Sequence, residues 1–360
     1  MAEWFEFEKH EEIMSPAMIV YPERIQRNID RMIEIAGNPD RLRPHVKTHK
    51  CPDIIRLQLQ KAIYKHKCAT LSEAFMLGTV GAKDVLIAYP LIGPAIDQFH
   101  TLKSYFPETK YSILVDHVDQ LQPWMALERE FDVFIDLNVG MDRTGCDPRE
   151  APEILTLIND SLLNFRGWHA YDGQIHDHEL KSRKRSVEKA FQPVLDLVNQ
   201  TDTQAKELIC GGSITLPIHA VHKNRQLSPG TTLLWDIGYG RNFPDLPFEI
   251  AAQLMARVVS LPDDNKICID LGYKAIASEM KVPVAKFPQI PDAVIEMHSE
   301  EHMVISTSEA QKWNIGDVVF AMPYHICPSM ALHDKAMAVE KGRYKEFWPI
   351  PARDRFYLVF

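Results

Sequence analysis

The run Arg43-Pro44-His45-Val46-Lys47-Thr48-His49-Lys50 sets a lysine between two histidines, four residues after an arginine. A lysine amine condenses with an aldehyde to a Schiff base, and nearby imidazoles can move protons while a guanidinium balances charge. Far downstream, Gly211-Gly212-Ser213 with Thr215 offers backbone amides and hydroxyls to an anion such as phosphate. The two segments together point to a phosphorylated aldehyde cofactor, with pyridoxal phosphate the first candidate. His325-Ile326-Cys327 adds an imidazole and a thiol one residue apart. In an extended segment those two side chains share a face, and the donor types suit zinc among the common divalent metals. A second polar cluster, His298-Ser299-Glu300-Glu301-His302, would align His298, Glu300 and His302 by the same alternation, or form a solvated turn.

Elements of two kinds must position these groups. Up to about residue 245, short apolar runs alternate with amphipathic stretches. The expected strands are 42–46, 67–69, 84–88, 111–115, 132–138, 165–171, 207–210 and 232–236. Helical patterns at 21–36, 52–65, 72–81, 93–105, 118–130, 149–161 and 178–200 separate them. Eight strand–helix units over this length predict a parallel (β/α)8 TIM barrel, with a doubly wound open sheet as the alternative. Active groups of such a barrel lie just after strand ends. Lys47, Thr70, Arg143, Tyr171, Gly211 and Gly212 fall there. Tyr239, after Asp236-Ile237-Gly238, is a further phosphate or ring contact, and Tyr171 is equally readable as a packed rim residue. Beyond 245 the pattern changes to strand-like runs at 256–259, 266–270, 303–305, 317–320, 336–339 and 355–358, joined by turn residues. This predicts a mainly antiparallel β domain. The division expected is a barrel over 14–243 and a β domain over 244–360, to which residues 1–13 add an edge strand.

Composition narrows the function. The chain has 360 residues, 46% of them hydrophobic, and a formal charge of −9 without a basic tract. That disfavours nucleic acid as a partner. No apolar run is long enough to span a membrane. Met1-Ala2-Glu3-Trp4 does not open a signal peptide, and the six cysteines form no CxxC pair. The expectation is a cytoplasmic protein with reduced thiols.

These residues resemble the fold-type III pyridoxal-phosphate enzymes and, more narrowly, the D-threonine aldolase and D-serine dehydratase family. The resemblance rests on residues 43–50, Lys67-Cys68-Ala69-Thr70 with Ser72-Glu73-Ala74, and Asp136 through Gly145. His169-Ala170-Tyr171-Asp172-Gly173, Gly211-Gly212-Ser213 and His325-Ile326-Cys327-Pro328 complete it, so it spans almost the whole chain. It implies an alanine-racemase-like barrel followed by a D-serine-dehydratase-like β domain. It makes Lys47 the Schiff-base lysine and places Arg143 near the cofactor, holding its O3′ oxygen or screening Lys47. Tyr171 becomes a cofactor or substrate contact. His45, His49 and His169 become the choices for the base on the substrate hydroxyl.

The resemblance also implies a divalent metal on His325 and Cys327, next to the cofactor, and a homodimer. The family's D-serine dehydratases resemble this chain in using His-x-Cys with zinc, whereas its aldolases are more often His-x-Asp enzymes. Cys327 therefore puts manganese or magnesium dependence in doubt. The reaction expected is aldol cleavage of a D-threonine-like 3-hydroxy amino acid to glycine and an aldehyde. The alternative is dehydration of D-serine to pyruvate and ammonia. Racemisation, with Tyr273 as a formal acid/base, and pyridoxal-phosphate binding without catalysis are the remaining readings.

Overall fold

The computed structural model describes residues 3–355 apart from 205, 281 and 282. Two compact units divide the chain. The barrel unit takes Asp30–Lys47 and Ile55–Gly230, and the sheet unit takes the residues up to Ile29, Thr48–Ile54 and Thr231–Arg353. The first strand, β1 (Ala17–Val20), pairs within the sheet unit.

Seven parallel strands of the barrel unit pair in chain order. They are β2 (Lys65–Cys68), β3 (Asp84–Ile87), β4 (Lys110–Val115), β5 (Asp132–Asp136), β6 (Asn164–Ala170), β7 (Glu207–Cys210) and β8 (Arg225–Leu227). The segment expected as the first strand closes the ring. Leu42 bridges Leu227 and His45 bridges Lys67, both in the parallel sense. Arg43 N–H donates to Leu227 O, His45 N–H to Pro229 O, and Lys67 N–H donates back to Pro44 O. Residues 42–45 are thus the eighth stave, bonded to both free edges.

One expected strand is corrected. Residues 232–236 are not a strand: Thr231–Leu233 forms a 3-10 turn. The strand that completes the ring is β8, three residues long and reading Arg-Gln-Leu, too short and polar to show strand periodicity. The connecting helices include Pro52–Gln60, Leu71–Thr79, Pro94–Tyr105, Val118–Met125, Ala151–Asn159 and Leu180–Gln200. Thr70 Oγ1 accepts from Glu73 N–H and so starts the helix after β2.

Inside the barrel, Leu86, Leu114, Phe134 and Ile209 form an apolar layer. At the strands' N-terminal ends lies an ionic floor. Fully buried Arg43 donates to Asp84 (2.7 Å), Glu207 (3.1 Å) and Gln226 (2.9 Å). Arg166 reaches the other Asp84 oxygen at 2.8 Å. Both guanidinium groups face the Phe134 ring, at 5.9 and 5.2 Å from its centroid. The β5–β6 register shifts between Val133 and Phe134. A shift of one residue resets the in–out alternation, so Arg166 below it and His169 above it both reach the interior.

In the sheet unit the strands are β1 with β9 (Ala252–Asp263), β10 (Lys266–Ile269), β11 (Ala285–Lys286), β12 (Val294–His298), β13 (Met303–Ser306), β14 (Val318–Pro323), β15 (Lys335–Glu340) and β16 (Arg343–Pro349). Their order is β12-β13-β10-β9-β1-β15-β16, with β14 also on β9 and β11 on β14. All pairs are antiparallel except β1 with β15. Strand β1 is therefore internal, and Ile19 packs with Phe5, Phe7, Met255, Phe320 and Met337. The edge strand expected from residues 1–13 does not form among the described residues there, which contribute a 3-10 turn at His10–Glu12 and a single bridge from Glu8 to Arg343. The strand expected at 355–358 lies, from Phe356 onward, outside the described residues.

Candidate active site

The closing stave runs directly into a 3-10 turn at Val46–Thr48, and this turn carries Lys47. His45 Nδ1 accepts the Lys47 N–H at 3.2 Å, so the histidine shapes the turn. Lys47 is exposed, and its Nζ lies 5.5 Å from the centroid of the Tyr171 ring, just past the end of β6. Arg143 approaches the same ring at 5.4 Å. Its loop is pinned: Asn138 Oδ1 accepts from Gly140 and Asp142 N–H, and Thr144 Oγ1 donates to Asp136 at 3.0 Å. The Tyr171 ring therefore gathers the lysine and the arginine that the sequence singled out.

The glycine turn follows β7 and meets the same ring. A Cβ on Gly212 would stand 3.1 Å from Tyr171 Cε2. Gly211 has φ +72°, and a Cβ there would lie 2.5 Å from His219 Cδ2. Only glycine fits such a backbone, and bare backbone of this kind is what an anion cradle needs. Thr215 Oγ1 accepts Gly212 N–H at 3.1 Å and donates to Asp172 Oδ1 at 2.9 Å. Asp172 Oδ2 meets His219 Nε2 at 2.8 Å, and His219 Nδ1 meets Arg225 at 2.8 Å. Ser213 Oγ accepts from Gly230 N–H. The Asp172–His219–Arg225 chain that braces this turn is fully or nearly fully buried, and sequence reading missed it. Its one signal was an aspartate inside the motif 169–173.

His169 is buried at 5% exposure, its Nδ1 2.6 Å from Asp136 Oδ1 and its Nε2 3.2 Å from Lys67 Nζ. Burial, and then the Lys67 charge, lower its pKa against the pull of Asp136. Thr70 spends its hydroxyl as the helix cap already described. The barrel unit thus brings Lys47, Arg143 and Gly212 together around the Tyr171 ring, with Gly211 next in the glycine turn, His45 accepting the Lys47 N–H and His169 meeting Lys67. These residues fit a phosphorylated aldehyde: an amine, a guanidinium, an aromatic face and a glycine cradle.

The sheet unit holds the remaining candidates. His325 precedes the helix Ile326–Ala331, and Cys327 lies in its first turn. The pair is therefore at a helix start and not in the extended segment expected; β14 stops at Pro323. Cys327 Sγ lies 3.3 Å from Thr48 Oγ1 and 3.4 Å from Thr231 Oγ1. His325 Nδ1 contacts Glu279. The Cys327 sulfur beside it, working against burial, raises His325 to about 9. The donor chemistry, imidazole and sulfur with a carboxylate adjacent, fits a divalent cation. Among the described residues no group of three or more metal-ligating side chains is assembled.

His49 Nδ1 accepts Cys51 N–H at 3.1 Å. Tyr239 stacks on Trp235 at 5.1 Å. The alternation expected for His298, Glu300 and His302 breaks, because Ser299 N–H closes a turn on His302 O, and Lys274 pairs with Glu300 at 2.7 Å. Tyr273, the formal racemase residue, is 39% exposed beside that turn.

Comparison with known proteins places this geometry. Residues 20–236 match the family model of the alanine racemase N-terminal domain, and residues 251–339 match one described as "Putative serine dehydratase domain". A D-threonine aldolase of Arthrobacter sp is 26% identical over 94% of this chain and 92% of its own length. The crystal structure of a D-threonine aldolase from Filomicrobium marinum superposes with a TM-score of 0.86 at 25% identity, over 96% of each chain. A cysteine-to-alanine mutant of D-threo-3-hydroxyaspartate dehydratase, described as the metal-free form, gives 0.80 at 19% identity over 94% of this chain and 98% of that one. No helix among the described residues is long and apolar enough to cross a membrane. With a barrel whose lysine turn, arginine loop and glycine turn meet on one tyrosine, and with more than half its length in one match, the chain belongs to the alanine racemase N-terminal domain family, in the branch that carries a serine-dehydratase-type second domain.

Proposed function

We propose that this protein is a pyridoxal-phosphate- and metal-dependent lyase of D-3-hydroxy amino acids, and that its main reaction is aldol cleavage of D-threonine-like substrates to glycine and an aldehyde. One observation carries the reading: a single ring, Tyr171, meets Lys47, Arg143 and the Gly212 backbone position. The near-full-length likeness to D-threonine aldolases supports the choice of reaction. When bound, the cofactor supplies an electron sink for the pair of electrons released at the substrate Cα.

The chain's own residues do the rest. Lys47 holds the cofactor aldehyde and afterwards carries a proton to or from Cα. Gly211, Gly212 and Ser213 hold the phosphate, with Thr215 bracing the turn. Arg143 holds negative charge on the ring oxygen. His325 and Cys327 hold the divalent metal, with zinc favoured by the sulfur donor. His45, His49 and His169 are the imidazoles available to the β-hydroxyl proton. Of these, His169 is held in one tautomer by Asp136, and its Nε2, the nitrogen that would have to meet the hydroxyl, lies 3.2 Å from Lys67 Nζ.

A second reading, zinc-dependent dehydration of D-serine, is favoured by one residue. Cys327 supplies a thiol where His-x-Asp aldolases have a carboxylate, and a cysteine variant of a related dehydratase is described as metal-free. The chain is further proposed to act as a homodimer in the cytoplasm, consistent with its six free cysteines. The deciding experiment supplies purified protein with pyridoxal phosphate and either zinc or manganese, and offers D-threonine, D-serine and their L-enantiomers. Glycine with acetaldehyde from D-threonine is the expected result. Pyruvate with ammonia from D-serine as the main product overturns aldol cleavage in favour of dehydration. Light scattering on the same sample reads the dimer.

A further inference from the structure

The His325–Cys327 pair of the sheet unit is itself held by its neighbours. Cys327 Sγ lies 3.3 Å from Thr48 Oγ1 and 3.4 Å from Thr231 Oγ1. Thr48 ends the turn Val46–Thr48, Thr231 opens the turn Thr231–Leu233, and the two are only 1% and 6% exposed. Buried hydroxyls keep partners inside the protein, and here the sulfur is one for both. His325 Nδ1 contacts a Glu279 carboxylate oxygen. That contact fixes the proton on Nδ1 and leaves Nε2 as the nitrogen with a lone pair to give. The same imidazole is within hydrogen-bond reach of the Cys327 side chain. Between the two donors, Ile326 N–H donates to Asp236 Oδ2 at 3.1 Å, and the other oxygen of this buried aspartate accepts from Tyr239 N–H at 2.8 Å. The backbone that spaces the imidazole and the sulfur is therefore pinned. No group of three metal-ligating side chains forms among the described residues, so Glu279 is counted with the imidazole that it bonds.

We propose that Thr48, Thr231 and Glu279 are positioning residues for the divalent metal: the two hydroxyls aim and stabilise the Cys327 sulfur, and the carboxylate sets the His325 tautomer that leaves Nε2 for the ion. The inference rests on His325 and Cys327 being the metal ligands. A thiol has one proton and donates to one hydroxyl at most. A sulfur that binds a metal has given that proton to solvent and only accepts. Both hydroxyls then turn their hydrogens onto it, which needs rotation about each C–O bond alone, and they take up part of its negative charge. The carboxylate does the corresponding work on the imidazole: it holds the ring's orientation and makes the ligating nitrogen more basic. Valine in place of either threonine keeps the side chain's shape and removes only the hydrogen-bonding group.

The test reads the metal and not turnover. Full-length protein supplied with pyridoxal phosphate is loaded with zinc, and its zinc affinity is measured by competition with a chromophoric chelator. The same protein is loaded with cobalt(II), and the sulfur-to-cobalt charge-transfer band is read as a difference spectrum against the zinc form. Thr48→Val and Thr231→Val are each expected to weaken zinc about tenfold and to move the band to lower energy, because a sulfur that has lost a hydrogen bond gives up its electrons more readily. Thr231→Ser, which keeps the hydroxyl, restores both. Glu279→Ala is expected to weaken zinc about tenfold, and Glu279→Gln, whose amide oxygen still accepts from Nδ1–H, to lose less. A band and an affinity that both valine variants leave unmoved overturn the role of the threonines. Equal losses in Glu279→Ala and Glu279→Gln overturn the orienting role of the carboxylate and make it a ligand. A cobalt protein with no such band, whose zinc affinity Cys327→Ala leaves unchanged, overturns the underlying reading of the metal site and the inference with it.

Discussion

Gly212 shows how small a change the site tolerates. A methyl group there meets Tyr171 Cε2 at 3.1 Å, so the ring must yield, and that ring also faces Lys47 and Arg143. Gly212→Ala is expected to weaken pyridoxal phosphate retention about tenfold, equivalent to about 1.4 kcal/mol, read by absorbance titration. Unchanged affinity would separate the glycine turn from the phosphate. Lys47→Ala is expected to remove turnover by roughly 10³-fold or more, since it deletes both the attachment point and a proton carrier. Cys327→Ala is expected to release the metal while leaving borohydride trapping at Lys47 intact, read by elemental analysis beside mass spectrometry. Retained metal in that variant counts against Cys327 as a ligand. The lysine, arginine and glycine positions were legible because each sits in a short run with its own chemistry. Asp172, His219 and Arg225 were not, because residues so far apart in sequence meet only after β6, β7 and β8 pair. Lys67 was visible as a letter in a motif, but its burial was not.

Among the elements, most strand and helix positions could be read from hydrophobic alternation, as for β3, β5 and β7. Strand β8 could not, since three residues carry no period, and its pairing is set by the neighbours on either side. The His325–Cys327 pair failed differently: the spacing suggested a strand, but the chain turns into a helix after Pro323. The floor of the barrel gives a prediction at this scale. Asp84 accepts from both Arg43 and Arg166, and Arg43 has no exposed surface. Asp84→Ala strands two guanidinium groups and is expected to cost about 3–5 kcal/mol in urea unfolding. A loss under about 1 kcal/mol would mean that Glu207 alone compensates them.

For the whole molecule, the buried titratable groups set a pH profile with a determinable sign. His66 is completely buried; burial first and Arg43 second depress it to about 3. A depressed folded value contributes stability that is present above the unfolded value, about 6.5, and is lost as pH falls toward 3. Against the upward push of burial, Arg43 and Arg166 hold Asp84 below the ordinary carboxylate range, so its share is lost only below about 4. Lys67 acts in the same direction from the ordinary lysine range down to about 7. On the alkaline side, burial raises Cys146 and Cys210 to about 12, so their share is lost above the ordinary thiol value of about 8.5. Maximum stability is therefore expected between about pH 7.5 and 8.5, with a decline already measurable by pH 5.5 in urea titrations. Burial raises Asp236 to about 6, which works the other way between about pH 4 and 6; a stability that rises from pH 7 to 5 would show that His66 is not shielded as its burial implies.

The stave at residues 42–45 has a consequence for how the protein is made. It closes the ring by joining Leu227 on one side and Lys67 on the other, so the lysine proposed to hold the cofactor sits beside a seam. The ribosome delivers Lys47 early, but the partner of that seam emerges some 180 residues later, and β1 waits longer still for β9 and β15. A nascent chain therefore carries a bare, unassembled lysine turn through about half of its synthesis. Capture of the proposed cofactor becomes a late event, timed by ring closure, and a translational pause placed some tens of residues after β8, once that strand has cleared the ribosome, would give the seam time to zip.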